Sequence, residues 1–101
     1  MEQYKAQLMI NKSRVELNPF VEEYLARISA GIVTSLKGID YVRNVQIYDR
    51  HGDIQIKVNG DDVAIKPFPV KIIGNTLRGL VSALKGVNEV DNLDVVVEVV
   101  R

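Results

Sequence analysis

The chain contains no cysteine among its 101 residues. Disulfide bonds, thiolate metal ligands, iron–sulfur clusters and cysteine nucleophiles are therefore excluded. It also has a single histidine, His51. One chain therefore cannot build a metal site from several histidines. We expect neither a metal ion nor a cofactor.

Long apolar runs and an excess of charge of either sign are also missing. The longest apolar runs are three residues, as at 95–97, whereas a membrane-spanning helix needs about 20. The first residues lack the basic and then apolar pattern of a signal peptide, so we expect a cytoplasmic protein without membrane contact. The 13 basic and 13 acidic residues give zero formal net charge, which argues against a chain built to coat nucleic acid.

The composition that remains is that of an ordinary globular domain. Hydrophobic residues make up 47% of the chain and charged residues 26%, the usual balance for a folded soluble protein. A chain of this length normally builds one core. We therefore expect a single domain spanning 1–101.

An internal repeat is the strongest pattern in the sequence. Residues 7–48 align without a gap to residues 55–96 at an offset of 48, and 12 of the 42 pairs are identical. Composition alone would give roughly two or three identities, so we interpret the pattern as a duplication. Repeat one covers about 6–50 and repeat two about 54–98. Two copies are too few for a solenoid, so we expect one domain with a pseudo-twofold axis.

Each repeat begins with an amphipathic hairpin. Leu8 and Ile10 alternate with polar neighbours, as in a strand with one buried face. A two-residue turn at Lys12-Ser13 would pair Ile10 with Val15, and the second repeat gives the same register around a Gly60-Asp61 turn. The agreement between the two copies predicts a hairpin in each.

A helix follows each hairpin. Asn18-Pro19 predicts an N-cap and a first-turn proline, and the first helix should run to about Lys37 and end at Gly38. The second helix should stop at Lys85-Gly86, and both glycines should take the left-handed conformation. At the start of the second helix, Lys66 replaces the capping asparagine. We expect the buried stripes to be Leu25, Ile28, Ile32 and Leu36 in the first helix and Ile73, Leu77, Leu80 and Leu84 in the second.

Third strands at Asn44–Asp49 and Leu93–Val100 complete the two repeats. The turn-rich stretch 48–53 should fold the first of these strands back onto the hairpin of repeat two. We therefore predict an α+β, two-layer sandwich in which two helices cover one face of a six-stranded, mostly antiparallel sheet. Gly31 and Gly79 fall in the middle of the helices, which suggests a close approach by another element.

The residues able to do chemistry do not converge in the sequence. His51 could act as a general base beside Asp49 and Asp53, but we interpret it as an exposed turn residue. The pair Asp61-Asp62 could bind a divalent ion, but the other repeat has no carboxylates there and a solvated turn fits better. The segment 74–79 resembles a phosphate loop only superficially, because it lies inside a helix. We identify no catalytic residues and expect no enzyme.

The face of the sheet away from the helices provides the leading functional hypothesis. The last strand carries valine on both faces, and such a strand is usually covered on both sides. We therefore predict a non-catalytic interaction or assembly module that forms a homo-oligomer, with an unknown protein partner as another outcome. The hypothetical interface consists of Met9, Tyr48, Val96 and Val100.

The alternative hypothesis is a domain that binds nucleic acid or an anionic ligand. Lys71, Arg78 and Lys85 recur every seven residues along the second helix, and such a basic stripe can follow phosphates. Tyr48 and Lys57 on the open sheet could contact a base and its backbone. An ordinary solvated helix face explains the same stripe.

Overall fold

The computed structural model describes residues 2–36, 39–65, 67–84, 86–87 and 89–100. These residues form six strands and two helices, so the predicted α+β class is confirmed. In chain order the elements are β1 (Gln3–Ile10), β2 (Ser13–Val15), α1 (Pro19–Thr34), β3 (Asn44–Arg50), β4 (Asp53–Val58), β5 (Asp61–Val63), α2 (Pro67–Ser82) and β6 (Asn92–Val100).

The strands form one antiparallel sheet in the order β2-β1-β6-β3-β4-β5. We call β1, β2, α1 and β3 the first half and β4, β5, α2 and β6 the second half. The third strand of each half pairs with the hairpin of the other half, β6 with β1 and β3 with β4. The expected fold-back of β3 onto β4 is thus confirmed. Both halves run ββαβ, while their origin by duplication stays a prediction.

The turn of the first hairpin lies one residue earlier than predicted. Ile10 pairs with Ser13 around Asn11-Lys12, whose φ angles are 51° and 70°. Two positive φ values define a type I′ turn, whose twist matches that of the strands. The predicted turn at Lys12-Ser13 is therefore wrong. Because the register moves by two residues, every side chain stays on its predicted face.

The other two hairpins use the same turn. Asn59-Gly60, with φ of 52° and 87°, replaces the predicted turn at Gly60-Asp61. Asn-Gly is the residue pair that favours type I′ most strongly, which explains the choice. His51-Gly52 connects β3 to β4 with φ of 54° and 92°. His51 is exposed in this turn, as expected.

The core lies between one face of the sheet and the two helices. A row of paired side chains across the four central strands is at most 1% exposed, and consists of Leu8, Val95, Ile47 and Ile56. The alternation of apolar and polar residues along the strands puts these side chains on one face. The opposite face of the sheet is uncovered by the described part of the chain.

The buried faces of the helices are rotated relative to the prediction. Among the helix residues whose burial the structure describes, the buried ones are Leu25, Ala26, Ser29 and Val33 in α1 and Ile73, Gly74, Leu77 and Val81 in α2. Ile28, Ile32 and Leu36 are only partly buried, as are Leu80 and Leu84. These side chains line grooves between α1 and α2. Each helix packs on the sheet and faces the other helix across these grooves. The predicted stripes therefore mixed residues that face the sheet with residues that line the grooves.

The helix ends agree with the prediction at one terminus only. Asn18 is the N-cap of α1, and its Oδ1 accepts a hydrogen bond from the backbone N–H of Val21 at 2.8 Å. Both helices end earlier than predicted, at Thr34 and Ser82. Gly86 is left-handed, with φ of 86°, but it lies four residues beyond α2. The prediction for Gly38 falls outside the described residues.

The two mid-helix glycines have no close neighbour. No side chain or more distant backbone atom lies within 4 Å of a Cβ built at Gly31 or Gly79. The close approach predicted at these positions is therefore wrong for the described chain. It occurs instead at Gly74, where a Cβ would lie 3.0 Å from Cδ1 of Ile54.

Candidate interaction surfaces

The open face of the sheet brings together three of the four predicted interface residues. Asp94 on β6 lies between Met9 on β1 and Tyr48 on β3 in the sheet register. Val96 follows on the same face of β6, where it is partly buried. These apolar side chains therefore surround a carboxylate rather than form an uninterrupted apolar patch.

Val100, the fourth predicted residue, lies apart from the other three. Glu98 separates Val96 from Val100 on the open face of β6, and it is paired with Lys5 in the register. Val100 and Met9 are 36% and 37% exposed. Single exposed apolar residues at this level are ordinary features of protein surfaces.

The charged groups on the open sheet are largely paired. The Arg50 guanidinium forms an ion pair with Asp94 and lies 5.6 Å from the centre of the Tyr48 ring. The hydrogen bond to Asp94 raises the pKa of Arg50 above its ordinary range. Lys57 lies 3.9 Å from Asp62 on the neighbouring strand. This face is a polar surface whose charges neutralise one another.

The predicted basic stripe of α2 is interrupted at Arg78. Lys71 is exposed, and Lys85 falls outside the described residues. Arg78 instead reaches the sheet, where its Nε donates to Oδ2 of Asp49 at 2.7 Å and its Nη2 donates to Oδ1 at 2.9 Å. The expectation that Arg78 belongs to the solvated face of the helix is therefore wrong.

Asp49 is the centre of a buried polar site beneath α2. Its side chain is 1% exposed and also accepts a hydrogen bond from the Gly52 N–H at 2.8 Å. Arg78 donates a further bond to the Val90 carbonyl at 3.1 Å. Burial raises the pKa of Asp49, but the bonds from Arg78 and Gly52 together lower it below its ordinary 3.8.

The contacts of this site make it a structural anchor. A bidentate guanidinium–carboxylate pair is geometrically specific, and here it joins β3, the β3–β4 turn, α2 and the segment before β6. Gly74 of α2 lies beside the carboxylate, and a Cβ there would be in ordinary van der Waals contact with Oδ2 of Asp49 at 3.7 Å. Both charged groups are engaged within the protein, so we assign them no ligand.

Asn59 clamps the segment that leads into β3. Its Oδ1 accepts hydrogen bonds from the N–H groups of Arg43 at 2.7 Å and Asn44 at 3.1 Å. Its Nδ2 donates to the Tyr41 carbonyl at 2.7 Å. One turn residue of the second half therefore holds a loop of the first half.

Asn11 makes the same set of contacts with the second half. Its Oδ1 accepts from the N–H groups of Asp91 at 2.8 Å and Asn92 at 3.0 Å, and its Nδ2 donates to the Glu89 carbonyl at 2.8 Å. Each of these partners is 48 residues from its counterpart at Asn59. The identity of the two asparagines in the repeat was the sequence signal for this role, which the sequence analysis did not assign.

The outer surface of the helix layer contains two apolar grooves between α1 and α2. The larger has a volume of about 510 Å³ and is lined by Val21, Tyr24, Ile28, Thr76, Leu80, Ala83 and Leu84. The smaller, about 250 Å³, is lined by Ile32, Ser35, Leu36, Pro69, Ile72, Ile73 and Thr76. None of these described lining residues is charged.

Three of the large exposed apolar side chains lie in or beside the same grooves. Phe20 is 74% exposed and stacks on Tyr24 with 5.7 Å between ring centres. Tyr24 and Ile72 are each 49% exposed. We call the outer face of α1 and α2, with its two grooves, the helix-layer surface. The predicted buried stripes did not point to this surface, although Phe20 and Tyr24 lie one helical turn apart and outside the stripe of the first helix.

Searches for other kinds of site and for related proteins give negative results. Within the described residues, no group of three or more histidine, cysteine or acidic side chains could hold a metal ion. Neither described helix is long and apolar enough to cross a membrane. Comparison with protein-family models, curated proteins and solved structures gives no match.

Proposed function

We propose that this protein is a non-catalytic assembly module that associates with a second copy of itself through the helix-layer surface. The observation that carries the proposal is the uncharged lining of both grooves together with the exposure of Phe20, Tyr24 and Ile72 beside them. Interface centres are depleted in charge and enriched in aromatic residues. The grooves of the helix-layer surface have an uncharged lining, and the aromatic residues Phe20 and Tyr24 lie beside or in the larger one.

The open sheet has weaker support as the contact surface. Met9, Tyr48 and Val96 surround Asp94, which is paired with Arg50. Burying that face would desolvate the charges without a new partner for them, which is costly. The two grooves of the helix-layer surface have no charged lining residue, so burying them desolvates no ion pair.

The alternative function, binding of nucleic acid or an anionic ligand, also has weaker support. In the basic stripe on α2, Arg78 is paired with Asp49 and is not available to a ligand. Lys71 is the exposed basic residue in the described part of the stripe. Lys57 on the sheet lies near the carboxylate of Asp62. Phosphate binding normally depends on several basic side chains together.

Self-association is favoured over an unrelated partner because the surface is repeated within the chain. The grooves have matching positions, with Tyr24 of the larger groove and Ile72 of the smaller groove 48 residues apart. A closed twofold contact uses the same patch on both partners. A second copy therefore presents the same apolar grooves and can cover those of the first copy.

The experiment is sedimentation analysis at micromolar concentration of the wild type, Tyr24→Lys and Val96→Lys. We expect a two-chain mass for the wild type and for Val96→Lys, and a one-chain mass for Tyr24→Lys, because a lysine there would be buried without a partner. Circular dichroism checks that both variants remain folded. A one-chain wild type would contradict self-association, and a dimer disrupted only by Val96→Lys would move the interface to the open sheet.

A further inference from the structure

Resting on the self-association proposed above, we infer that two copies pair their α1 helices antiparallel about a twofold axis, with Phe20 of each copy packed over Gly31 of the partner subunit. Three features of the outer face of α1 support this geometry, namely the exposed ring of Phe20, the exposed Gly31 and the opposite charges of Glu23 and Arg27.

Gly31 has no explanation within a single chain. It lies inside α1, where glycine is less favourable than alanine. Its backbone does not require glycine, since its φ is not in the left-handed region, and nothing occupies the space where a Cβ would lie. A glycine on an exposed helix face creates a shallow depression, and the described part of the chain leaves it empty.

Phe20 is the complementary feature. Its ring is 74% exposed although it stacks on Tyr24. Phe20 and Gly31 are 11 residues apart, which is about three turns, so both lie on one stripe of the helix. In an antiparallel pair with the axis near the middle of this interval, each Phe20 faces the Gly31 of the partner subunit. The contact therefore forms twice.

The charges on α1 fit the same arrangement. Glu23 and Arg27 are 59% and 57% exposed and form an ion pair at 3.0 Å within the chain, and the Arg27 guanidinium also lies 4.3 Å from the centre of the Tyr4 ring. A twofold axis that places Phe20 over Gly31 crosses α1 midway between these two residues. Glu23 and Arg27 are centred on nearly the same point of the helix, so the same axis brings Glu23 of one copy beside Arg27 of the other. Opposite charges placed in this way set the orientation of a contact more than its strength. A parallel pairing would instead bring like charges together.

The test compares the two mid-helix glycines, which share the same exposed environment. Gly31→Gln places a long side chain where Phe20 would pack, and Gly79→Gln makes the matched change on α2. Both replacements favour helix formation, so loss of folding does not explain a difference. We expect Gly31→Gln to weaken the dimer by about tenfold or more, as for a central contact, while Gly79→Gln leaves it nearly unchanged.

Charge reversal tests the orientation. Glu23→Arg and Arg27→Glu should each weaken the dimer, and the double variant should recover most of the loss, since it restores opposite charges across the axis. Equal effects of Gly31→Gln and Gly79→Gln, or no recovery in the double variant, would overturn this geometry while leaving self-association intact. A one-chain wild type would instead contradict the proposed function itself.

Discussion

The two halves of the molecule share their architecture but differ beneath their helices. Beneath α2, Asp49 on β3 binds Arg78 in a buried ion pair. The positions 48 residues away carry Val97, which is fully buried, and Ala30. The charged pair between β3 and α2 thus corresponds to two apolar residues, one on β6 and one on α1. We therefore assign the buried Asp49–Arg78 pair a structural role. The proposed function rests on the outer surface of the helices instead.

Removing Arg78 should have the largest effect on stability. Arg78→Ala leaves the Asp49 carboxylate buried without its cation, and we expect a loss of about 3 kcal/mol in the free energy of unfolding. The control is Arg27→Ala, which removes an exposed ion pair with Glu23 and a contact with the Tyr4 ring, together worth about 1 kcal/mol. Urea unfolding at neutral pH measures both. Similar losses would mean that the buried pair has no special role.

The two asparagine clamps provide the sharpest test of equivalence between the halves. Asn11→Ala and Asn59→Ala each remove three side-chain hydrogen bonds from a left-handed turn position. We expect each to cost about 2 kcal/mol, and the two costs to agree within about 0.5 kcal/mol. The same urea measurement applies. A clearly larger loss of unfolding free energy at one asparagine would mean that the two clamps are not equivalent and that the halves match in their strands only.

Acid should reduce the difference in the free energy of unfolding between the wild type and Arg78→Ala. The lowered pKa of Asp49 gives the wild type stability that is present above the ordinary value of 3.8 and is lost as the pH falls through the folded-state pKa. Without Arg78, burial raises the pKa of Asp49, and protonation in acid relieves the unpaired charge. We expect urea unfolding to show that this difference in unfolding free energy is about 1 kcal/mol smaller at about pH 3 than at neutral pH. A stability difference that does not change with pH would show that the unpaired Asp49 carboxylate is not what destabilises Arg78→Ala.

Much of the fold was accessible from the sequence because it depends on local patterns. The alternation around Leu8 and Ile10 identified the buried face of β1, and Asn18 identified the start of α1. The turn positions were missed because alternation fixes the face of a residue and leaves a register shift of two undetected. The preference of Asn-Gly for type I′ turns was the signal that would have placed Asn59-Gly60 correctly.

The candidate surfaces were less accessible because they depend on tertiary contacts. Arg78 has the spacing of a solvated stripe, and its partner Asp49 lies 29 residues away on a strand. Nothing local in the sequence joins the two. The helix-layer surface requires the relative placement of α1 and α2, since its grooves are lined by both helices. Periodicity alone combined the residues facing the sheet with those facing the other helix.

The central claim is that the two halves use one architecture and that the Asp49–Arg78 pair occupies positions equivalent to the apolar residues Val97 and Ala30. The most direct test is the urea unfolding free energy of the double variant Asp49→Val with Arg78→Ala, which copies the residues found at those equivalent positions. We expect it to recover most of the loss seen in Arg78→Ala and to come within about 1 kcal/mol of the wild type, because apolar replacement of a buried ion pair is often nearly neutral. A double variant as unstable as Arg78→Ala would contradict the claim.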